Sequence, residues 1–181
     1  ACGKYRAVQA RGLCAGSQRI RGSVVRQLAL AGLIAVIAGQ ASALSCMPPD
    51  PVAAFQRASD STSTYYVLYG TLDFDARLLP KGNGTNTVAE PAPIPAFFRG
   101  NGLSPTGFNL RFDQPVTLQS VCAGPWCGGA PTHTPALAFV RVVGDELLLE
   151  VGPCGGQLFP EPSKAVLETM VQCINGNCAS N

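Results

Sequence analysis

The sequence contains one histidine, His133, set in a Pro/Thr segment. A zinc site would want paired short cysteine spacings with histidine support, so metal binding is not expected. No G-x-S-x-G, H-E-x-x-H, P-loop or dinucleotide glycine pattern is present, and no cofactor is called for. There is no apolar run of the about 20 residues that a membrane-spanning helix needs. The run Leu28–Gly39 stops at twelve. Internal repeats and long runs of charge are also missing, and no methionine precedes Met47. These absences argue against an enzyme, a metalloprotein and an integral membrane protein.

What is present begins with export. Arg19, Arg21 and Arg26 precede the short apolar run, and Ala41-Ser42-Ala43 follows it. A basic flank, a short apolar segment and an A-x-A site predict a secretory signal peptide over 24–43, cleaved after Ala43. Residues 1–23 have no periodicity and are assigned no structure or function. Two readings of them stay open: a long n-region, or a translation start near Val24 or Val25. Residues 44–181 are then expected to form a single domain, long enough to bury a proper core. That part carries seven lysines and arginines against eleven acidic residues, a net charge of −4. The +2 of the whole sequence therefore belongs to the leader, and nucleic acid is not an expected partner. The predicted location is secreted or periplasmic.

Six cysteines follow position 43: Cys46, Cys122, Cys127, Cys154, Cys173 and Cys178. An even number in an exported small domain implies three disulfides, with fifteen conceivable pairings. Cys122 and Cys127 enclose Ala-Gly-Pro-Trp, and Cys173 and Cys178 enclose Ile-Asn-Gly-Asn. Both loops hold turn residues that bring their ends together. Pairing each locally leaves Cys46 with Cys154. That long loop is worth about 4.7 kcal/mol in chain entropy, against about 2 kcal/mol for each short one. Trp126-Cys127-Gly128-Gly129 hints at a redox motif, but the next cysteine is wrongly spaced for C-x-x-C.

Cys46 stands near the N-terminus that cleavage would create, followed by Met47, Pro48, Pro49, Asp50 and Pro51. Each proline fixes its own φ and biases its predecessor toward extended geometry, which predicts a stiff arm anchored at one point. Asp50 caps a short helix with Pro51 at its first position and Phe55 as the expected core anchor. Tyr65–Asp75 reads as a strand, interrupted by Gly70 at a bulge or sharp bend. Residues 80–107 hold ten Pro or Gly in 28 positions and read as a long surface loop with a strand near Ala96–Gly100. Phe108–Cys122 alternates, with Phe108, Leu110 and Phe112 on one face and Pro115 marking an edge or bulge. Leu137–Val143 and Glu146–Val151 form a hairpin around Gly144-Asp145. Pro162-Ser163-Lys164 opens an amphipathic helix that runs to Cys173.

A short helix, about five antiparallel strands, a Pro/Gly loop and a C-terminal helix suggest a mainly β, small five-stranded OB-like barrel stapled by disulfides. Cys46-Met-Pro-Pro-Asp-Pro-Val-Ala-Ala-Phe55, Gly70-Thr-Leu, Ser120-Val-Cys122 and Leu137-Ala-Phe-Val140 through Asp145-Glu-Leu-Leu148 to Cys154 resemble the netrin-like module of the tissue inhibitors of metalloproteinases. The resemblance extends over nearly all of 46–178. It implies Cys46–Cys154, because the family's second N-terminal cysteine pairs with the one after the strand hairpin. The family's first cysteine, whose amine and carbonyl chelate the target's zinc, corresponds here to Leu44. Cys122 thereby loses its family partner, which fits re-pairing with Cys127, and Cys178 replaces the family's N-side partner of Cys173. Leu44 has no disulfide of its own to hold it, so zinc-protease inhibition ranks below a more general binding role.

The favoured function is thus an exported binding module acting on an extracellular or periplasmic protein. Its expected surface is the arm Leu44, Ser45, Met47, Pro48 and Pro49, with Pro125, Trp126 and the Gly155-Gly156 turn held beside it. Trp126 is the best single anchor, since rigid aromatics serve interfaces well; the plainer reading is that its indole covers the end of the barrel. The alternative is a structural envelope protein, or a lipoprotein that meets the membrane through acylated Cys46, for which Ala43-Leu44-Ser45-Cys46 is a poor lipobox. Asp73 and Asp75 alternate with Leu72 and Phe74, as on a solvated strand face.

Overall fold

The structure is a computed structural model that describes residues 44–81 and 89–178, within a compact unit starting at Leu44. The predicted leader and signal peptide, and residues 82–88 of the predicted loop, lie outside the described residues. No helix among the described residues is long and apolar enough to cross a membrane.

Helix α1 (Pro51–Asp60) begins as its sequence dictates. The Asp50 carboxylate accepts a hydrogen bond from the Val52 N–H at 2.8 Å, and Pro51 fills the first turn, where no N–H is needed. The expected anchor Phe55 is only partly buried, and Val52 and Ala54 are the buried residues instead. The small Ala54 lets the helix lie close, which leaves the larger ring at its flank.

The strands are β1 (Tyr65–Phe74), β2 (Ile94–Ser104), β3 (Gly107–Ser120), β4 (Cys122–Ala123), β5 (Trp126–Cys127), β6 (Pro135–Val143), β7 (Glu146–Val151) and β8 (Leu158–Pro160). Helix α2 (Lys164–Ile174) follows, with Ser163 accepting from the Val166 N–H at 3.3 Å. The architecture is mainly β: a six-stranded sheet in the order β1-β2-β3-β7-β6-β8, a two-stranded ribbon of β4 and β5, and two helices. β1 also pairs with β6, so it is bonded on both sides.

Three expectations are corrected. The strand near Ala96–Gly100 runs from Ile94 to Ser104, so most of the second half of the expected 80–107 loop is strand. Its glycines belong to pairing rather than to a turn. Gly100 lies opposite Gly70, and a Cβ on either would run into the other strand's backbone. Gly70 therefore marks close approach of two strands with unbroken register, and the bulge falls at Gly102/Leu103. Finally, the strands are not all antiparallel. Thr117–Ser120 of β3 pairs in parallel with Leu148–Val151 of β7. Pro115 sits where expected, on a stretch of β3 that bonds β2 on one side and, among the described residues, meets no strand on the other.

Two apolar clusters meet across β6. Ala136, Ala138 and Val140 face a cluster with Leu68, Leu72, Phe98, Leu118 and Leu149. Leu137 and Phe139 point the other way, onto Val52, Phe159 and Met170 beneath the helices. A strand buried on both faces has no polar side to show, which is why Ala136–Val140 is apolar without alternation.

Candidate binding surface

All three predicted disulfides are formed: Cys46–Cys154, Cys122–Cys127 and Cys173–Cys178. Three such bridges belong to an oxidising environment, extracellular or periplasmic. They also decide which segments share a surface. Residues 44–50 lie in neither helix nor strand and are exposed along their whole length, with Met47 86 % accessible and Leu44 39 %. The bridge from Cys46 holds this arm on the turn after β7, where Gly155 adopts φ 72° and lies against the Pro49 ring. A side chain at 155 would be strained by that φ and would press on Pro49. Met47, Pro48, Pro153, Gly155 and Leu158 contribute to an open depression of about 420 Å³ beside the arm.

The β4–β5 ribbon is built by its own bridge. Cys122 pairs with Cys127 and Ala123 with Trp126 around Gly124-Pro125, with Gly124 at φ 60° as a type II′ turn requires of its first central residue. The ribbon is tied to β7 through Val121, whose N–H donates to the Val151 carbonyl at 2.9 Å. It is tied to β3 through Ser120, whose buried hydroxyl donates to the Gly128 carbonyl at 2.6 Å. Gly128 is packed so tightly that a Cβ would meet the Val151 carbonyl.

Of the predicted surface, the structure brings together Met47, Pro48, Pro49 and Gly155, with Gly129, which was not predicted, beside them. Pro125 is half-buried and Trp126 exposed at 39 %, and neither lines that depression. Gly156 opens instead onto a separate hollow of about 160 Å³ beside Arg57 and Gln157. The arm and the Trp126 ribbon are therefore neighbours on β7, not a single wall.

The polar candidates are occupied with one another. Asp73 pairs with Arg99 at 3.1 Å and lies 3.5 Å from His133 Nε2, all three exposed. His133 sits at φ 57°, and its backbone N–H donates to the Leu72 carbonyl at 2.8 Å. Asp75 binds Arg77 at 2.7 Å and caps the short turn Ala76–Leu78. The Arg77 guanidinium, donating to that carboxylate, holds its pKa at about 2, well below 3.8. A carboxylate kept charged in this way is a poor general acid. Among the described residues, no group of three His, Cys, Asp or Glu is arranged to hold a metal.

The sequence reading missed a larger cleft of about 510 Å³, where Tyr66 and Gln114 stand between the unpaired stretch of β3 and the β6–β7 turn. Its only signal was Gln114, polar and exposed in the register of the buried Phe112 and Val116. Comparison of the chain with protein-family models, with curated proteins and with solved structures finds no match.

Proposed function

We propose that the domain is an exported binding module that presents its N-terminal arm, Leu44 to Pro49, to an extracellular or periplasmic protein. The observation that carries this reading is the arm itself. It is a proline-stiffened, exposed segment fixed by a disulfide to a residue 108 positions away in sequence, with Met47 projecting at 86 % accessibility. A rigid segment gives up little conformational freedom on binding, so an apolar side chain on it is an efficient contact. The fold proposed with it is a closed OB-like ring of the netrin kind, β1-β2-β3-β7-β6 and back to β1. Support comes from the pairing of β1 with both β2 and β6 and from the parallel β3–β7 contact. The lipoprotein reading is weakened, because a sulfur bonded to Cys154 has no valence left for a thioether-linked lipid.

A photo-crosslinking residue at Met47, compared with one at exposed Lys164 in native extracellular or periplasmic fluid, tests the proposal. A discrete adduct is expected at 47 and not at 164, and it should be lost when Cys46 and Cys154 are both replaced by serine. Equal labelling at the two sites would favour a structural envelope role. The Trp126→Ala variant assigns the ribbon: an unchanged adduct with a lower melting point gives the indole to the fold, and a weakened adduct gives it to the interface.

A further inference from the structure

We propose that the free edge of β3, from Leu110 to Val116, accepts an extended polypeptide as an added strand, with a basic side chain of that peptide over Asp145 and Glu146. This surface is separate from the arm. β3 is bonded to β2 from Gly107 to Leu118, but its other side meets β7 only from Thr117 onward. Pro115 has no N–H, so its pair with Phe97 is a non-hydrogen-bonded one. Alternation then turns the backbone groups of Gln114 and Phe112 toward β2, and those of Asp113 and Arg111 outward. Thr117, in the same outward register, is where the contact with Leu148 begins. Among the described residues, no backbone or side-chain partner meets the outward groups of Arg111 and Asp113. In the free protein water serves them. A strand's main chain would serve them better, and the edge is roughly 20 Å long.

The space beside that edge is already open. The cleft of about 510 Å³ at the β6–β7 turn adjoins another of about 290 Å³ that reaches Leu110 and Ile174, and Tyr66 and Gln114 line both. Tyr66 is 47 % exposed, Leu110 58 % and Ile174 37 %, which gives an incoming strand apolar contacts on its inward side. At the turn, Asp145 and Glu146 are exposed and form no ion pair among the described residues, whereas Arg111 is already matched by Asp113. The unmatched charge is negative, so the complementary peptide is basic at that end. Main-chain hydrogen bonds would set affinity, and alternate side chains would set selectivity.

The test uses the domain with its three disulfides intact and a capped nonapeptide of alternating valine and threonine with lysine at one end, followed by NMR. Binding is expected with Kd below about 1 mM. The amides of Arg111 and Asp113 should shift and exchange with solvent at least about tenfold more slowly. Methylating alternate peptide nitrogens in one register should weaken binding about tenfold, and methylating the other register should leave it unchanged. Asp145→Asn with Glu146→Gln, or glutamate in place of the peptide lysine, should weaken it about threefold. Absence of binding at about 1 mM would overturn the proposal. So would equal loss in both methylation registers, or shifts confined to residues 44–49. Protection of Arg111 and Asp113 without peptide, rising with protein concentration, would assign the edge to a second copy of the chain.

Discussion

The two apolar clusters share β6 but are held by different means. The one lined by Leu68, Phe98 and Leu118 is enclosed by strands, so its side chains are fixed by the same hydrogen bonds that build the sheet. The one lined by Phe139, Phe159 and Met170 is roofed by two helices of 10 and 11 residues. Helices that short are marginal alone and depend on the face they cover. Their fastenings are local: the Asp50 and Ser163 caps and the Cys173–Cys178 bridge just beyond α2. The long bridge joins the two sides, from Cys46, five residues before α1, to Cys154, three after β7. Side chains of equal burial can thus sit in frameworks of unequal strength.

The largest expected effect breaks this comparison at the sulfurs. Replacing Cys46 and Cys154 by serine should lower unfolding stability by about 4.7 kcal/mol, and replacing Cys173 and Cys178 by about 2 kcal/mol. Denaturant midpoints at constant slope check both, and equal losses would mean that loop length is not what ranks the bridges. Next come the two most comparable core rings, Phe98 at 0 % and Phe139 at 1 % exposure. Each truncation to alanine should lose about 4 kcal/mol. Because β6 serves both clusters, helical and strand signals should still melt together in each variant. Separate midpoints in Phe139→Ala would show that the helical roof is an independent unit. The smallest effect concerns neither cluster and serves as a reference. Asp75 is depressed by the Arg77 hydrogen bond, so its contribution is present above its ordinary value and lost as pH falls through about 2. In Arg77→Ala its titration, followed by NMR, should move up toward 3.8, with the melting temperature slightly lower above that pH and equal to that of the wild type below about 2.

Local patterns were readable wherever the chain carried its own punctuation. Asp50-Pro51 and Ser163 mark the helix starts, and Gly144-Asp145 joins β6 to β7. The turn residues inside each five-residue cysteine spacing brought those sulfurs together, which left Cys46 for Cys154. Patterns misled where a residue served a distant strand. Gly102 resembled a loop residue and Gly100 the end of a strand, although both lie inside β2 and Gly100 is small because Gly70 presses on it from β1. β8 was invisible, since three residues give no period, and it exists only because β6 offers it an edge at Ala136–Ala138. Trp126 and the arm were expected on one surface because both adjoin cysteines, yet each bridge fixes only its own loop.

By itself, then, the sequence determined the bridges, the helix starts and the exposed proline arm, because each depends on residues close in the chain or on chemistry with few alternatives. Only the tertiary structure decided that β3 and β7 run parallel, that two glycines face each other, and that β3 before Thr117 meets a strand on one side alone among the described residues. Those facts depend on how far apart in the chain two strands may lie and still meet, and no local period records that distance.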